Sequence, residues 1–226
     1  MTTHRSTIEH LLNERATSPG AVVSSLPKQD LLWLDFSDQN TALRGVDLTN
    51  TAQFSEWLFG EVLRGKIGIG GFMEHRAVYH RSGHFGGDDP RTVHLGIDIW
   101  TKAGTPVRAP WPGVIHSFRD NEGFGNYGPT VILEHRIATY TFYTLYGHLS
   151  RASIRTLRVE QKVDKNQRLG KIGPYPENGD WPPHLHFQAM TDLLGWVGDF
   201  PGVVAPSQQK KYEKICIDPR YLLRTT

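Results

Sequence analysis

The chain has 226 residues, enough for one sizeable core or a core with a small appendage. At 38% hydrophobic and 21% charged it has a globular rather than a disordered composition. A formal charge of +2 without a Lys/Arg block gives no case for nucleic acid, and no run of about 18 apolar residues offers a membrane span. The single cysteine, Cys216, excludes an intrachain disulfide and a cysteine-based zinc knuckle.

The N-terminal stretch MTTHRSTIEHLLNERATSPG is interrupted by Glu9, His10, Asn13 and Glu14 and holds no apolar segment of signal-peptide length. A cytoplasmic location is therefore the expectation, with leaderless export left open. Ile8, Leu11, Leu12 and Ala16 fall at helical spacing. A second helix is expected after Pro27, carrying Leu31, Leu32 and Leu34. A third is expected from Thr51 to Arg64, with Phe54, Trp57, Leu58 and Val62 apolar and Gly65 as its stop. Residues 1–70 read as a helical N-terminal region: a lid, a docking element or a small subdomain. The glycine-dense run Gly65–Gly71 lacks the Gly-Lys-Ser/Thr ending of a phosphate loop and reads as a hinge or turn.

From about Ala77 the pattern turns to β, with β-branched and aromatic runs separated by Gly, Pro and Asn. Expected strands are 77–80, 97–100, 106–109, 113–119, 130–135, 140–147, 158–163, 168–172 and 184–190. No helical segments alternate with them, so the sheet should be largely antiparallel. The fold class is mostly β (α+β), with residues 71–226 as the β-sheet domain. The tail 191–226 reads as loops packed on that core. Trp33, Trp57 and Trp196 read as packing residues, and His116 and His135 as core or surface residues.

Three short stretches carry histidines at or beside these strands. In Pro182-Pro183-His184-Leu185-His186-Phe187, strand geometry puts His184 and His186 on one face, their Cα atoms roughly 6.5 Å apart. One imidazole could then bind a metal while the other reaches a water on it; two surface histidines on an edge strand are the plainer alternative. In His94-Leu95-Gly96-Ile97-Asp98, a straight strand would separate His94 from Asp98 by about 13 Å, too far for one ion. A bend near Leu95-Gly96 is the simplest way to bring both to one metal; otherwise they are a lone strand histidine and a loop aspartate. Tyr146-Gly147-His148-Leu149-Ser150 ends an apolar run, where His148 is either a site residue or a turn histidine.

Taken in order, these motifs resemble the lysostaphin/LytM-type zinc metallopeptidases. Ala103-Gly104-Thr105-Pro106-Val107, Gly113-Val114-Ile115, Gly125-Asn126-Tyr127-Gly128 and Gly170-Lys171-Ile172-Gly173 match as well. The resemblance spans roughly residues 90–190. It implies a Zn2+ ion held by His94, Asp98 and His186, with His184 as general base for the attacking water. It implies that His148 steers the water or stabilises the oxyanion. The activity implied is endopeptidase hydrolysis of an amide bond in a bacterial cell-wall-like or small peptide, with a peptide or peptidoglycan fragment as partner. Neutral imidazole and carboxylate are suitable zinc ligands, and each histidine needs an outer acceptor to fix its tautomer.

The chain departs from the family pattern in three places. Asn178-Gly179-Asp180-Trp181-Pro182-Pro183 is bulkier than the small residues that often precede the His-x-His motif in the family. Trp181 either narrows the cleft or packs on its rim. Relatives often place an oxyanion-holding tyrosine shortly before the first ligand, but here His80–Asp89 stands there. Tyr79 is remote in sequence, and His84 is a possible substitute or a loop histidine. The family also usually works outside the cytoplasm. Two rival readings follow: a non-catalytic zinc-binding module, or a cytoplasmic hydrolase of a non-wall substrate. The intact set of five site residues favours an enzyme.

Overall fold

The computed structural model describes residues 3–14, 18–23 and 26–223. Helix α1 (His4–Asn13) opens on a capping box in which Thr3 and Ser6 satisfy each other's backbone N–H groups. It buries Ile8 and Leu12. Ala16, expected to extend it, lies outside the described residues.

The helix expected after Pro27 is instead strand β1 (Leu31–Leu34), and the expected hinge at Gly65–Gly71 contains strand β2 (Ile67–Gly70). The two pair in parallel, Leu31 with Ile67 through Leu34 with Gly70. A four-residue apolar run fits a helix or a strand equally well by pattern, and pairing decides it. Leu31 packs on the main core while Leu32 and Leu34 pack on a second cluster, the two-sided habit of a strand. Trp33, expected to pack, is 59% exposed on β1. Helix α2 (Thr51–Glu56) is capped by Asn50, continues as a wider π-turn over Trp57–Leu63, and stops at the left-handed Arg64.

The remaining strands are β3 (Val93–His94), β4 (Ile97–Trp100), β5 (Pro106–Arg108), β6 (Gly113–Asn121), β7 (Gly128–Ile137), β8 (Tyr140–Gly147), β9 (Lys162–Val163), β10 (Arg168–Lys171), β11 (His184–Met190), β12 (Val203–Val204) and β13 (Cys216–Ile217). Among the described residues they form one nine-stranded sheet in the order β1-β2-β4-β11-β8-β7-β6-β9, with β13 also on β11, and two small pairs, β5–β10 and β3–β12. Every pairing but β1–β2 is antiparallel. The strand expected at 77–80 is a 3-10 turn (Ala77–Arg81), and the tail adds β12, β13 and a short helix to its loops. Among the described residues, no helix is long and apolar enough to cross a membrane.

The register of β4 against β11 places the site. His184 faces Trp100, Leu185 faces Ile99, His186 faces Asp98 and Phe187 faces Ile97. Side chains alternate along each strand. Leu185 and Phe187 join Ile97 and Ile99 in the main core, leaving His184, His186, Asp98 and Trp100 for the opposite face. That face is covered by an aromatic cluster in which Phe36 and Phe54 meet Trp100 at 5.3 and 6.2 Å between ring centroids. Phe54→Ala should therefore lower unfolding stability by about 3–5 kcal/mol in urea titration. A loss below about 1 kcal/mol would show that this layer adds little to the sheet.

Candidate metal centre and active site

β3 and β4 belong to different sheets. His94 pairs with Val203 in the small one, and Asp98 pairs with His186 and Gly70 in the large one. The chain breaks direction between them at Leu95-Gly96, where the sequence pointed to a bend. Gly96 is required there: a Cβ would lie 2.7 Å from Phe187 O and 2.8 Å from the His186 ring. The result is three donor atoms in one place. His94 Nε2 lies 2.9 Å from His186 Nδ1 and 3.3 Å from Asp98 Oδ1, and His186 Nδ1 lies 3.2 Å from the same oxygen. All three residues are buried, and their donor atoms could hold one metal ion.

The hydrogen bonds around the ring fix where the protons are. His94 Nδ1 lies 2.8 Å from Gly71 O, and a carbonyl can only accept, so Nδ1 carries the hydrogen and Nε2 is bare. His186 Nε2 lies 3.0 Å from Gln188 Oε1. Gln188 Nε2 donates to Pro201 O, which fixes that amide as an acceptor toward His186 and leaves His186 Nδ1 bare. The contact between His94 Nε2 and His186 Nδ1 is therefore two lone pairs facing each other, not a hydrogen bond. His184 Nδ1 donates to Pro182 O at 2.8 Å and His148 Nδ1 to Asn178 O at 2.7 Å. Their free Nε2 atoms complete a site walled by unprotonated nitrogen. His184 Nε2 is 3.9 Å from Asp98 Oδ1, and the His148 and His184 rings are 4.2 Å apart.

Electrostatics agree with these tautomers. Burial, with the Arg76 cation next, pushes His94 down to about 4. Burial also takes His184 to about 4, against the partial pull of Asp98. His148 is held well below the usual imidazole range by burial and by His184. Burial opposes the Asp98 charge, yet with the rings neutral the Arg76 cation beside it still holds its carboxyl well below the usual range. His148 itself sits at φ 61, a left-handed conformation that is rare for residues other than glycine. Its N–H donates to Tyr127 O and its carbonyl accepts from Gly173 N, so the turn is tied at both ends.

A cavity of about 210 Å³ opens over Asp98, His148, His184 and His186. Trp181 is 3% exposed and forms its wall, edge-on to the His148 and His184 rings at 6.1 and 6.0 Å. It is a buried wall and not a rim residue. Tyr79, too remote in sequence to assign, lies here: it lines the cavity, and its ring is 6.3 Å from that of His94. His84 also lines the cavity, packed on Phe85. Trp196 borders the cavity with 43% exposure and is not a core residue.

The sequence reading missed Arg76 and Glu74. Arg76 is buried and donates to Asp98 Oδ2, and to Glu74 Oε2 at 2.6 Å. They stand far upstream of Asp98 with no local pattern to link them. Gln188 was legible in principle, because it follows His186 by two residues on one strand and so shares its face.

Residues 92–194 match the model of Peptidase family M23. The match coincides with the segment expected from the motifs. The chain is 35% identical over 100 residues to the DD-carboxypeptidase/endopeptidase Mpg of Neisseria meningitidis, covering 44% of this chain and 20% of that protein. It is 28% identical over 123 residues to the L-Ala–D-Glu endopeptidase of Bacillus subtilis, covering 52% of this chain and 35% of that one. It thus spans about a fifth to a third of the length of these relatives. The catalytic domain of lysostaphin from Staphylococcus simulans aligns at 26% identity and a TM-score of 0.35, covering 53% of this chain and 80% of that one.

Because His94, His184 and His135 are held near 4 against a usual 6.5, they bind protons on unfolding and not before. Their folded values are depressed, so stability is greatest above 6.5 and falls as pH drops toward 4. Each such group contributes up to about 1.4 kcal/mol per pH unit in that window. Chelator-treated protein should show a thermal midpoint that falls steeply from pH 6.5 to 4.5. A flat midpoint would mean that these rings are not buried in the neutral form.

Proposed function

We propose that this protein is a zinc-dependent metallopeptidase that hydrolyses an amide bond in a peptidoglycan-like or small peptide. The observation that carries the proposal is the convergence of His94 Nε2, His186 Nδ1 and Asp98 Oδ1, all unprotonated, at 2.9–3.3 Å from one another. Ligands about 2.0–2.1 Å from a tetrahedral ion stand roughly 3.3 Å apart, so the spacing suits zinc. Two imidazoles and one carboxylate also leave one position open, as a catalytic rather than a structural zinc site requires. Relatives named as endopeptidases support the reaction class.

When bound, zinc supplies Lewis acidity, lowering the pKa of water toward about 7 and polarising a carbonyl. The chain's own residues do the rest. His184 presents a bare Nε2 and takes the proton of the attacking water as that water adds to the scissile carbonyl carbon. Its Nδ1–H bond to Pro182 O keeps the ring in that tautomer and steadies the imidazolium that forms. Stacking on Trp100, at 3.9 Å between centroids, holds the ring plane. The same imidazolium then returns a proton to the leaving amine as the C–N bond breaks. His148 sits beside it, and its Nε2 orients the water through a lone pair. The Tyr79 hydroxyl accepts from Arg76 and so keeps its own proton to donate to the oxyanion. A binding module would have no use for two further imidazoles beside a complete donor set, which favours turnover.

Purified protein should hold about one zinc per chain, and Asp98→Ala should lose most of it. His184→Ala should keep the metal yet lose about 10²–10⁴ in hydrolysis. The check is metal analysis with mass spectrometry of peptidoglycan fragments and a small-peptide panel, with chelator controls. Metal-free protein grown with zinc would end the proposal, and undiminished activity in His184→Ala would remove its role as base.

A further inference from the structure

Arg76 lies outside the segment that matches the peptidase family, in the loop between β2 and β3. It is 2% exposed, and its fork meets four acceptors. Nε donates to Glu74 Oε2 at 2.6 Å, Nη1 to Asp98 Oδ2 and to Tyr79 Oη at 3.3 Å, and Nη2 to Gly71 O at 3.3 Å. Three of these acceptors border the donor set directly: Asp98 belongs to it, Gly71 O fixes the His94 tautomer, and Tyr79 lines the cavity. A buried ion pair is weak as a stabiliser, because desolvation of both charges offsets most of their attraction. An apolar side chain would fill this space as well, so the guanidinium has to be explained by what its fork does.

We propose that Arg76 is a positioning residue that presents Asp98 to the metal ion. The last torsion of an aspartate is broad and two-fold, so a free carboxylate turns easily. Here Oδ2 is tied back to Arg76, and Oδ1 is thereby left 3.3 Å from His94 Nε2 and 3.2 Å from His186 Nδ1. The cation does not repel the ion outright, because Glu74 lies against it and the group Glu74, Arg76 and Asp98 carries one net negative charge. Glu74 is itself held by Phe36 N at 3.1 Å and Gly71 N at 3.2 Å. The stretch that follows β1 therefore braces the ligand through Glu74 and Arg76. The assignment rests on the metal-centre reading above.

The decisive variant is Arg76→Lys, which keeps the charge and removes the planar fork. Zinc affinity is measured by competition with a chromophoric chelator, alongside the thermal midpoint of metal-stripped protein. Arg76→Lys and the neutral Arg76→Gln should both loosen zinc by about 10- to 100-fold, the usual effect of removing a partner of a metal ligand. The stripped midpoints should stay within a few degrees of the parent, and saturating zinc should restore most of kcat. Zinc affinity within twofold of the parent in folded Arg76→Lys overturns the proposal. Failure of both variants to fold even without metal marks a purely structural residue and overturns it too. Wild-type protein that binds no zinc would instead remove the metal-centre reading, a result separable from either of these.

Discussion

Two bare nitrogens, His94 Nε2 and His186 Nδ1, face each other at 2.9 Å across a carboxylate oxygen. Without a positive charge between them that contact is repulsive, and much of the surrounding structure serves to hold it. Gly71 O and Gln188 Oε1 draw the ring hydrogens outward. Burial strips away the water that would otherwise separate the groups, and an unpartnered buried polar atom is expensive. The outward bonds limit that cost to the lone pairs that face inward, which are the atoms a cation would satisfy. The contacts behind the three residues that could hold an ion thus order the site as much as those residues do.

The backbone supplies the same preparation. One continuous strand could not carry His94 and Asp98 to a single point, so the chain leaves the small sheet and enters the large one within two residues. Gly96 permits the close approach to β11 that this needs. On β11 the pleat separates tasks residue by residue: Leu185 and Phe187 anchor the strand in the core, while His184 and His186 share the other face. His148 enters from the end of β8 in a left-handed turn tied at both ends, so its ring faces His184 without a flexible loop behind it.

These relations explain how much was legible beforehand. The long strands β8 and β11 were readable to the residue, because alternation and flanking turns define them. The histidine motifs pointed to one locus, and the structure brings His94, Asp98, His148, His184 and His186 together there. What escaped notice depended on tertiary pairing. Leu31–Leu34 looks helical until β2 lies beside it, and β3, β12 and β13 are two-residue strands with no periodicity to detect. Arg76 and Tyr79 reach the site from a stretch whose spacing to the ligands is set by the fold and not by any local pattern. Trp181 was visible as a bulky residue, but its burial as a wall was not.

That wall separates chemistry from access. The segment that matches the peptidase family carries His94, Asp98, His148, His184 and His186, whereas Val78, Tyr79 and Phe85 before it and Phe200 and Val203 after it line much of the cavity. Trp181 is clamped from behind: the Arg81 guanidinium sits 4.4 Å from its ring, with Phe124 at 4.8 Å and Phe54 at 5.7 Å from the same cation. Burial lowers Arg81 to about 10. Its Nη2 donates to Thr51 Oγ1 and Asp180 O, while Nε and Nη1 make no hydrogen bond. A desolvated cation over an aromatic face gains about 2 kcal/mol, so the rings compensate its burial alongside those two hydrogen bonds. The wall of the cavity is thus packed between α2, through Thr51 and Phe54, and the turn before β11, through Asp180 and Trp181.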